Sequence, residues 1–251
     1  MKNKIYSLKR LVNWLNDGLK LRLFKLMFWK PDLIWLYRNR YLRMDANQQI
    51  NDKKRREFHL DRYEFSCNYL KSLNKEGLFI LDAACGTGYG CDVLKRLNHE
   101  LIVGIDIDPK TIRYANKKYG SDKCVFKVSD VVCMEGFKND MFDAVVSFET
   151  IEHLEQPIIF LEKINKILKQ KGILIISTPN KWGISKHHKF DYDYNLLRGH
   201  LDKYFSIIDI YIHNSGSIEL YTNRGCKHRL EKANSNNIEE AECFIAVCKK
   251  Q

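Results

Sequence analysis

The chain has 251 residues, 45% hydrophobic and 29% charged, so it is long enough to bury one substantial core with a small appendage. Its most apolar N-terminal stretch, 19–29, is interrupted by Lys20, Arg22 and Lys25 and is too short to span a bilayer, which argues against a membrane-spanning helix; no signal peptide is evident. The eight cysteines form no Cys-x-x-Cys pair and no zinc-ligand grouping, which favours reduced thiols and a cytoplasmic location over a disulfide framework.

The N-terminal part of the chain carries the whole excess of positive charge. The formal net charge is +11, and residues 1–75 hold 18 Lys and Arg against 7 Asp and Glu. Apolar residues from Ile5 to Leu26 recur at three- and four-residue spacing, which predicts a basic amphipathic helix. The sequence therefore predicts a helical extension over 1–50 and a larger domain over 51–251. The extension has three interpretations: a helical pair packed on the domain, a peripheral membrane contact, or a dimer contact.

A glycine-rich turn follows the first predicted strand, within residues 78–90, and precedes a predicted helix. The glycines let the backbone turn tightly, and the helix offers N–H groups to an anion, so the segment predicts a ligand cradle. The spacing also suits a dinucleotide. However, Asp82 at the strand tip would repel a pyrophosphate and attract an ammonium group. A ligand with an amine and a carboxylate at one end and a ribose at the other, such as S-adenosylmethionine, fits better.

Strands and helices alternate from Leu78 onward, which predicts an α/β fold with a parallel sheet and right-handed crossovers. Pro109 and Pro157 mark helix starts, and a helix over 59–73 precedes the glycine turn. Asp106 lies 18 positions after Gly88, about where an acid recognises ribose hydroxyls. The later strands are predicted at 103–106, 126–130, 142–148, 172–177, 204–212 and 242–249, with 214–240 unassigned.

These motifs resemble those of the class I S-adenosylmethionine-dependent methyltransferases, whose first motif is an aspartate followed by Cys-Gly-Thr-Gly or a close variant. The likeness covers roughly residues 59–212 in the family's order and spacing. It implies a seven-stranded, mostly parallel Rossmann-like sheet with helices on both faces, an antiparallel last strand, and S-adenosylmethionine as the cofactor. The cofactor-binding residues that it implies are Tyr63, Asp82, Cys85, Gly86, Gly88, Asp106, Ile107, Asp130, Val131 and Phe148.

The resemblance also implies which part of the cofactor each of these residues contacts. Arg62 and Tyr63 would reach the methionine end, with plain helix packing as the alternative for Tyr63. The adenine would lie between Ile107 and Val131, with Asp130 at its amine.

Polar side chains follow the fourth predicted strand. Glu149, Glu152 and His153 stand at i, i+3 and i+4, which on a helix places them on one face. His153 is the leading candidate for a general base, because it lies at the sheet edge where ligands bind in open α/β folds. The pattern resembles that of relatives that methylate quinone precursors, where it is implicated in divalent-metal binding, so a site for a cation such as Mg²⁺ is one alternative. Capping of the turn is another.

A third histidine lies beyond the fifth strand. The segment from His188 to Tyr192 resembles a His-x-x-Glu-aromatic segment of bacterial members of the group, with Asp191 in place of the usual glutamate. Asp191 would orient His188, and the aromatic residues around it would form a wall of the acceptor pocket; aromatic residues of a surface loop without function are the alternative. The predicted catalytic residues are His153, Glu149 and His188.

The resemblance to bacterial methyltransferases of surface-polysaccharide pathways implies O-methylation of a small molecule, a sugar or a lipid-linked glycan. The alternative within the class is a quinone or polyphenol O-methyltransferase that uses a divalent metal. An RNA-directed enzyme or RNA-binding protein is disfavoured, because the larger part of the chain is charge-neutral and lacks an Asn-Pro-Pro-Tyr-like motif. A scaffold without activity is disfavoured by the acids at 82, 106 and 130. The expected partners are the acceptor and, through the N-terminal helix, a membrane surface.

Overall fold

The computed structural model describes residues 53–184, 187–215 and 229–251, with side chains described from residue 57 onward. The predicted extension over 1–50 lies outside the described residues. The same holds for most of the unassigned segment, 216–228.

Helices and strands alternate along the described residues, as the sequence predicts. The helices are α1 (Lys53–Ser72), α2 (Tyr89–Leu94), α3 (Pro109–Tyr119), α4 (Pro157–Ile167) and α5 (Tyr194–Leu201). The strands are β1 (Leu78–Ala83), β2 (His99–Asp106), β3 (Cys124–Val128), β4 (Phe142–Phe148), β5 (Leu168–Pro179), β6 (Phe205–Asn214), β7 (Arg229–Lys232) and β8 (Cys243–Lys250). Single 3₁₀ turns lie at Ile151–His153 and Ile238–Glu240.

One sheet holds all the described strands in the order β3-β2-β1-β4-β5-β8-β6-β7. The first five strands in the chain pair in parallel, and β8 runs antiparallel to both β5 and β6. This confirms the predicted mostly parallel α/β sheet with an antiparallel late strand. The predicted count of seven is one too low, because β7 adds an antiparallel edge strand beside β6. The strand order reverses between β1 and β4, which opens a crevice at their carboxyl ends.

The sheet is buried on both faces because alternate residues of each strand enter different cores. Ile80 and Ile102 pack with Leu70 of α1 and Leu94 of α2 on one face. On the other face, Leu81, Val103 and Val145 pack with residues of the two later helices, among them Phe160, Ile164 and Leu197. Helices therefore cover both faces, as predicted, and the apolar strands at the centre are typical of a buried parallel sheet.

Several predicted boundaries shift. The fourth strand lies at Phe142–Phe148 as predicted, but β3 ends at Val128, so Asp130 belongs to the loop after it. β5 is longer than predicted at both ends, and α1 already includes Lys53. None of the described helices is long and apolar enough to cross a membrane. The cysteines within the described ranges are free thiols, and all except Cys133 are buried.

Candidate active site

Two glycines in the left-handed region of backbone space shape the turn after β1. Gly86 has φ +54° and Gly88 has φ +84°, values that favour glycine over residues with a side chain. A Cβ built on Gly88 would lie 2.7 Å from Phe126 Cε1, whereas one built on Gly86 would meet nothing within 4 Å. The turn is closed towards the core at Gly88 and open at Gly86, which leaves room for a ligand beside the backbone.

Asp106, at the end of β2, anchors this turn. Its Oδ2 accepts a hydrogen bond from the Gly86 N–H at 3.1 Å, and its Oδ1 accepts one from the Asp108 N–H at 2.9 Å. These two bonds hold the Asp106 carboxylate beside the glycine turn, at the carboxyl end of β2. The contact with a ribose stays a prediction.

The residues predicted to hold an adenine lie after β2 and after β3. Ile107 leaves 60% of its surface exposed, which is unusual for a large apolar side chain next to a buried strand, whereas Val131 is buried. Asp130 Oδ1 accepts a hydrogen bond from the Val132 N–H at 2.9 Å, which fixes the loop after β3. Ile107 therefore offers apolar surface at the carboxyl edge of the sheet, where the prediction places the adenine.

Asp82 is fully buried at the base of the turn. Its Oδ2 accepts hydrogen bonds from Tyr63 Oη at 3.2 Å and from Cys91 Sγ at 3.4 Å. Burial raises the pKa of the Asp82 carboxyl to about 7, although the Cys91 and Tyr63 hydrogen bonds pull it down. Burial and the Asp82 charge likewise raise the pKa of Tyr63 well above its ordinary value, so the phenol is the proton donor of this pair.

Tyr63 connects α1 to the glycine turn and to the end of β4. Its ring packs edge-on against Phe148 at 4.8 Å and against Tyr89 at 5.5 Å between centroids. It occupies the space where a side chain on Gly90 would lie. The structure thus brings together Tyr63, Asp82 and Phe148 from the predicted cofactor set. Cys85 belongs to the turn as well, with its N–H bonded to the Ile105 carbonyl at 2.8 Å and its thiol buried.

The prediction that Glu149, Glu152 and His153 share one helix face is wrong. Glu149 has φ +49°, which a right-handed helix does not allow, and only a 3₁₀ turn at Ile151–His153 follows it. The next helix begins only at Pro157. The three side chains therefore reach different partners.

Glu149 is held by a buried arginine and a serine. Its Oε1 accepts a hydrogen bond from Ser177 Oγ at 2.9 Å and lies 3.5 Å from Arg62 Nη2. Arg62 is 1% exposed, and its guanidinium lies 4.5 Å from the centroid of the Phe58 ring. Arg62 also donates to Cys243 Sγ at 3.6 Å. The structure places Arg62 against the acid that follows β4, a contact that the sequence did not indicate.

Glu152 and His153 form a second cluster with His188. Glu152 Oε2 accepts a hydrogen bond from Thr178 Oγ1 at 3.2 Å, while its buried Oε1 has no hydrogen-bond partner among the described residues and lies 3.7 Å from His153 Nε2. Burial, and then the charge of Glu149, raise the pKa of Glu152 well above its ordinary value. The rings of His153 and His188 lie 4.8 Å apart. Two of the three predicted catalytic residues, His153 and His188, are thus neighbours.

The segment after β5 is tied to the 3₁₀ turn by its backbone. His153 Nδ1 donates to the His187 carbonyl at 2.7 Å, and the Lys189 N–H donates to the Glu152 carbonyl at 2.7 Å. Asp191 Oδ1 accepts from the Gly183 N–H at 2.7 Å, so its carboxylate braces the loop. The orientation of His188 by Asp191 stays a prediction.

The part of the chain that forms this site matches a known protein family. Residues 81–176 match the family model described as a methyltransferase domain. The matched segment runs from β1 into β5 and includes the glycine turn, Asp106 and the turn that bears His153. These residues form a methyltransferase domain.

Curated relatives share this domain with the chain. The mitochondrial ubiquinone biosynthesis O-methyltransferase of Dictyostelium discoideum is 31% identical over 146 residues, which are 49% of this chain and 46% of the relative. The ubiquinone biosynthesis O-methyltransferase of Rhodopseudomonas palustris is 31% identical over 134 residues, which are 53% of this chain and 49% of the relative. The chain spans about half the length of the curated relatives that it matches.

A solved structure extends the likeness of the methyltransferase domain to most of the fold. The N-methyltransferase NodS from Bradyrhizobium japonicum WM9, in complex with S-adenosyl-L-homocysteine, superposes with a TM-score of 0.59. The match covers 84% of this chain and 95% of that chain at 16% sequence identity. At this identity the likeness establishes the fold alone, which is that of the Rossmann-like methyltransferases.

Proposed function

We propose that this chain is an S-adenosylmethionine-dependent methyltransferase that methylates a hydroxyl oxygen of a small molecule, a sugar or a lipid-linked glycan. The proposal is carried by one coincidence: the segment that matches the methyltransferase domain brings an open glycine turn and a histidine-bearing turn to the same edge of the sheet. The relatives named above are O-methyltransferases, which supports oxygen as the acceptor atom.

The residues around the glycine turn fit the cofactor. The backbone at Gly86 faces open space, Ile107 offers exposed apolar surface for a base, and buried acids stand at positions 82 and 106. When bound, the cofactor supplies an activated methyl group on a sulfonium sulfur. The protein must hold the acceptor oxygen in line with that methyl group and take its proton.

His153 is suited to take the proton. Its Nδ1 donates to the His187 carbonyl, so in the neutral ring Nε2 carries the lone pair. His188 stays neutral beside it, because burial, and then the charge of His153, lower the pKa of His188. Burial, and then the charge of Glu149, also raise the pKa of Glu152, which favours its neutral form beside an uncharged hydroxyl.

A radiometric transfer assay tests this role of His153. The full chain is titrated by calorimetry with S-adenosylhomocysteine, then assayed with methyl-labelled S-adenosylmethionine against 3,4-dihydroxybenzoate and methyl glycosides. His153→Asn should lower transfer by about 100-fold or more, the scale of a lost general base, and leave the affinity for S-adenosylhomocysteine unchanged. The matched control is His99→Asn, at the opposite end of β2. Failure of the wild-type chain to bind either S-adenosylmethionine or S-adenosylhomocysteine would refute the proposed function.

A specific observation favours a second candidate, a quinone or polyphenol O-methyltransferase assisted by a divalent metal. One ligand atom from each of Glu152, His153 and His188 lies within 4.8 Å of the others, although Glu149 of the predicted trio is held elsewhere by Arg62 and Ser177. Two imidazoles and a carboxylate suit Zn²⁺ or another borderline cation better than Mg²⁺. This candidate requires that EDTA abolish transfer to 3,4-dihydroxybenzoate and that added metal restore it; unchanged turnover in EDTA eliminates it.

We further infer that the enzyme works in the cytoplasm of a bacterial cell, with its basic N-terminal segment against a membrane surface. The free thiols of the described residues support a reducing compartment. The charge of residues 1–75 supports an anionic partner surface.

A further inference from the structure

We propose that Trp182 is a specificity-determining residue of the acceptor site, and that its exposed indole stacks on a flat, uncharged ring that carries the hydroxyl to be methylated. The inference rests on the proposed function. It narrows the acceptor from any hydroxyl compound to one that contains a ring.

The aromatic residues that follow β5 comprise three that face the core and one that is exposed. Tyr192 is 1% exposed, and its Oη lies 3.0 Å from His200 Nδ1. Phe190 and Tyr194 pack against the core that α4 and α5 cover. Trp182, by contrast, leaves 41% of its surface exposed. Of these four aromatic side chains, Trp182 is therefore the one that offers a large open surface to a ligand.

Trp182 lies beside the histidine pair of the candidate active site. The centroid of its ring lies 6.2 Å from that of His188, and the His188 centroid lies 4.8 Å from that of His153. The three rings are thus successive neighbours, with Trp182 the most exposed of them. A molecule of one or two rings that held a hydroxyl at His153 Nε2 would reach the Trp182 indole.

The loop that bears Trp182 is held by hydrogen bonds on both sides of that residue. The Lys181 N–H donates to the Tyr192 carbonyl at 2.7 Å, and the Gly183 N–H donates to Asp191 Oδ1 at 2.7 Å. Gly183 has φ +91°, a conformation that favours glycine. The backbone therefore fixes where the indole stands and leaves its apolar surface in water. Covering that surface with a ligand is favourable.

The lysines of this loop that the structure describes are paired with acids, which suits an uncharged acceptor. Lys181 Nζ lies 2.6 Å from Glu239 Oε2, and Lys189 Nζ lies 3.2 Å from Glu155 Oε1. Burial, and then the charge of His153, lower the pKa of His188, which favours its neutral ring. Trp182 thus presents its indole beside a neutral imidazole and compensated charges.

A ring gains more from such a surface than a flexible chain does. Aromatic side chains form favourable stacked or edge-on contacts with other rings, beyond the area that they bury. A ring also brings a whole face to the indole at once, whereas a chain loses freedom at each bond that it immobilises. The indole should therefore favour ring-bearing acceptors over acyclic ones.

The test measures acceptor binding and so does not depend on turnover. The full chain, saturated with S-adenosylhomocysteine, is titrated with 3,4-dihydroxybenzyl alcohol, methyl glucoside and the acyclic polyol glycerol, and ligand-observed NMR gives the dissociation constants. Wild type is compared with Trp182→Ala and Trp182→Phe. Leu73→Ala is the matched control, because Leu73 is 42% exposed but lies between α1 and the amino end of β1, at the opposite edge of the sheet. Calorimetry with S-adenosylhomocysteine shows that each variant is folded.

Wild type should bind at least one ring compound more tightly than glycerol. Trp182→Ala should weaken that compound by about 3- to 12-fold, the scale of one aromatic contact, and leave glycerol within about twofold. Trp182→Phe should lose less, because it keeps a ring, and Leu73→Ala should behave as wild type does. Loss for the phenol alone assigns an aromatic acceptor, and loss for the glucoside alone assigns a sugar. In the transfer assay, Trp182→Ala should raise KM and leave kcat unchanged, because the ring contact persists through methyl transfer.

Other outcomes overturn the proposal. Equal affinity of wild type and Trp182→Ala for both ring compounds would show that the indole does not touch the acceptor. An equal loss for glycerol would mean that Trp182 only orders the loop. The proposal also fails if the wild-type complex with S-adenosylhomocysteine binds neither ring compound more tightly than glycerol. Failure of wild type to bind S-adenosylhomocysteine instead rejects the proposed function.

Discussion

Burial controls the ionisation of Asp82, and this has a consequence for stability. The pKa of Asp82 is about 7 in the folded protein, against 3.8 for an unperturbed side chain. Between these two values the folded chain binds more protons than the unfolded chain, so the free energy of unfolding falls as pH rises from about 4 to 7. Above pH 7 both states are ionised and the penalty is constant.

Asp82→Asn should therefore stabilise the protein at alkaline pH. An amide cannot ionise, and it keeps an oxygen that accepts the Tyr63 hydrogen bond. At pH 8 we expect a gain in the free energy of unfolding of about 2–4 kcal/mol, since each unit of pKa shift corresponds to about 1.4 kcal/mol. At pH 4 the variant should match wild type within about 1 kcal/mol. Urea denaturation at the two pH values measures the difference.

Asp143 provides the opposite control. Burial pushes the pKa of Asp143 up, but hydrogen bonds from Lys169 and Lys75 outweigh it, and the net pKa is lowered. A lowered pKa contributes stability above the unfolded value, which is lost as pH falls through the folded value. Asp143→Asn should thus destabilise the protein at pH 8. Destabilisation of the protein by both aspartate variants at pH 8 would show that burial does not govern the ionisation of Asp82.

For single residues, the sequence predicted those whose positions follow from a local sequence motif. The acid and glycines of the turn, and Asp106 at the end of β2, occupy the predicted places. The pairing of Arg62 with Glu149 could not be predicted, because the two are brought together only by the packing of α1 against the end of β4. Nor could the left-handed backbone of Glu149, since nothing in its local sequence demands it.

At the scale of whole elements, pattern strength determined what could be predicted. The mainly apolar sequence of β4, Phe-Asp-Ala-Val-Val-Ser-Phe, gave its bounds correctly, because a strand buried on both faces has little polar content. Strand β7, of sequence Arg-Leu-Glu-Lys, went unpredicted. It is an edge strand with three charged residues of four, and its only signal is pairing with β6.

The contact between α1 and the end of β4 yields an element-scale prediction. The Arg62 side chain is 2% exposed and that of Glu149 is 23% exposed. Removing one partner of a buried pair costs about 3–5 kcal/mol, and the partial exposure of Glu149 puts Arg62→Met near the lower end. Arg62→Lys should recover part of that loss, because it keeps the charge without the planar fork. Equilibrium urea denaturation at pH 7 gives both values.

Arg96→Met is the matched control for this contact. Arg96 pairs with Glu64, which belongs to α1, as Arg62 does. In this pair both side chains are exposed, Arg96 at 58% and Glu64 at 41%. Exposed pairs contribute about 0–1 kcal/mol. Equal losses in Arg62→Met and Arg96→Met would contradict the view that the buried pair fixes α1 against the site.

At the scale of the whole molecule, charge is separated along the chain. Residues 1–52 hold 11 Lys and Arg against 4 Asp and Glu, although they are about a fifth of the length. The apolar spacing from Ile5 to Leu26 places large apolar and aromatic residues among these charges. Such a segment suits an anionic lipid surface, where each basic residue contributes about 1 kcal/mol and salt weakens the attraction.

The full chain should therefore bind vesicles that contain phosphatidylserine and not vesicles of phosphatidylcholine alone, with affinity falling as salt rises. The triple variant Lys20→Gln/Arg22→Gln/Lys25→Gln should bind at least tenfold more weakly, because it loses about 3 kcal/mol of attraction at low salt. Its control neutralises three exposed lysines of the methyltransferase domain, Lys110, Lys118 and Lys127, and should bind as wild type does. Sedimentation of the vesicles measures the bound fraction. Equal weakening by the two triple variants would mean that net charge alone drives binding to the vesicles. Tighter binding to single-stranded RNA than to vesicles would mean that a nucleic acid is the partner of the N-terminal segment.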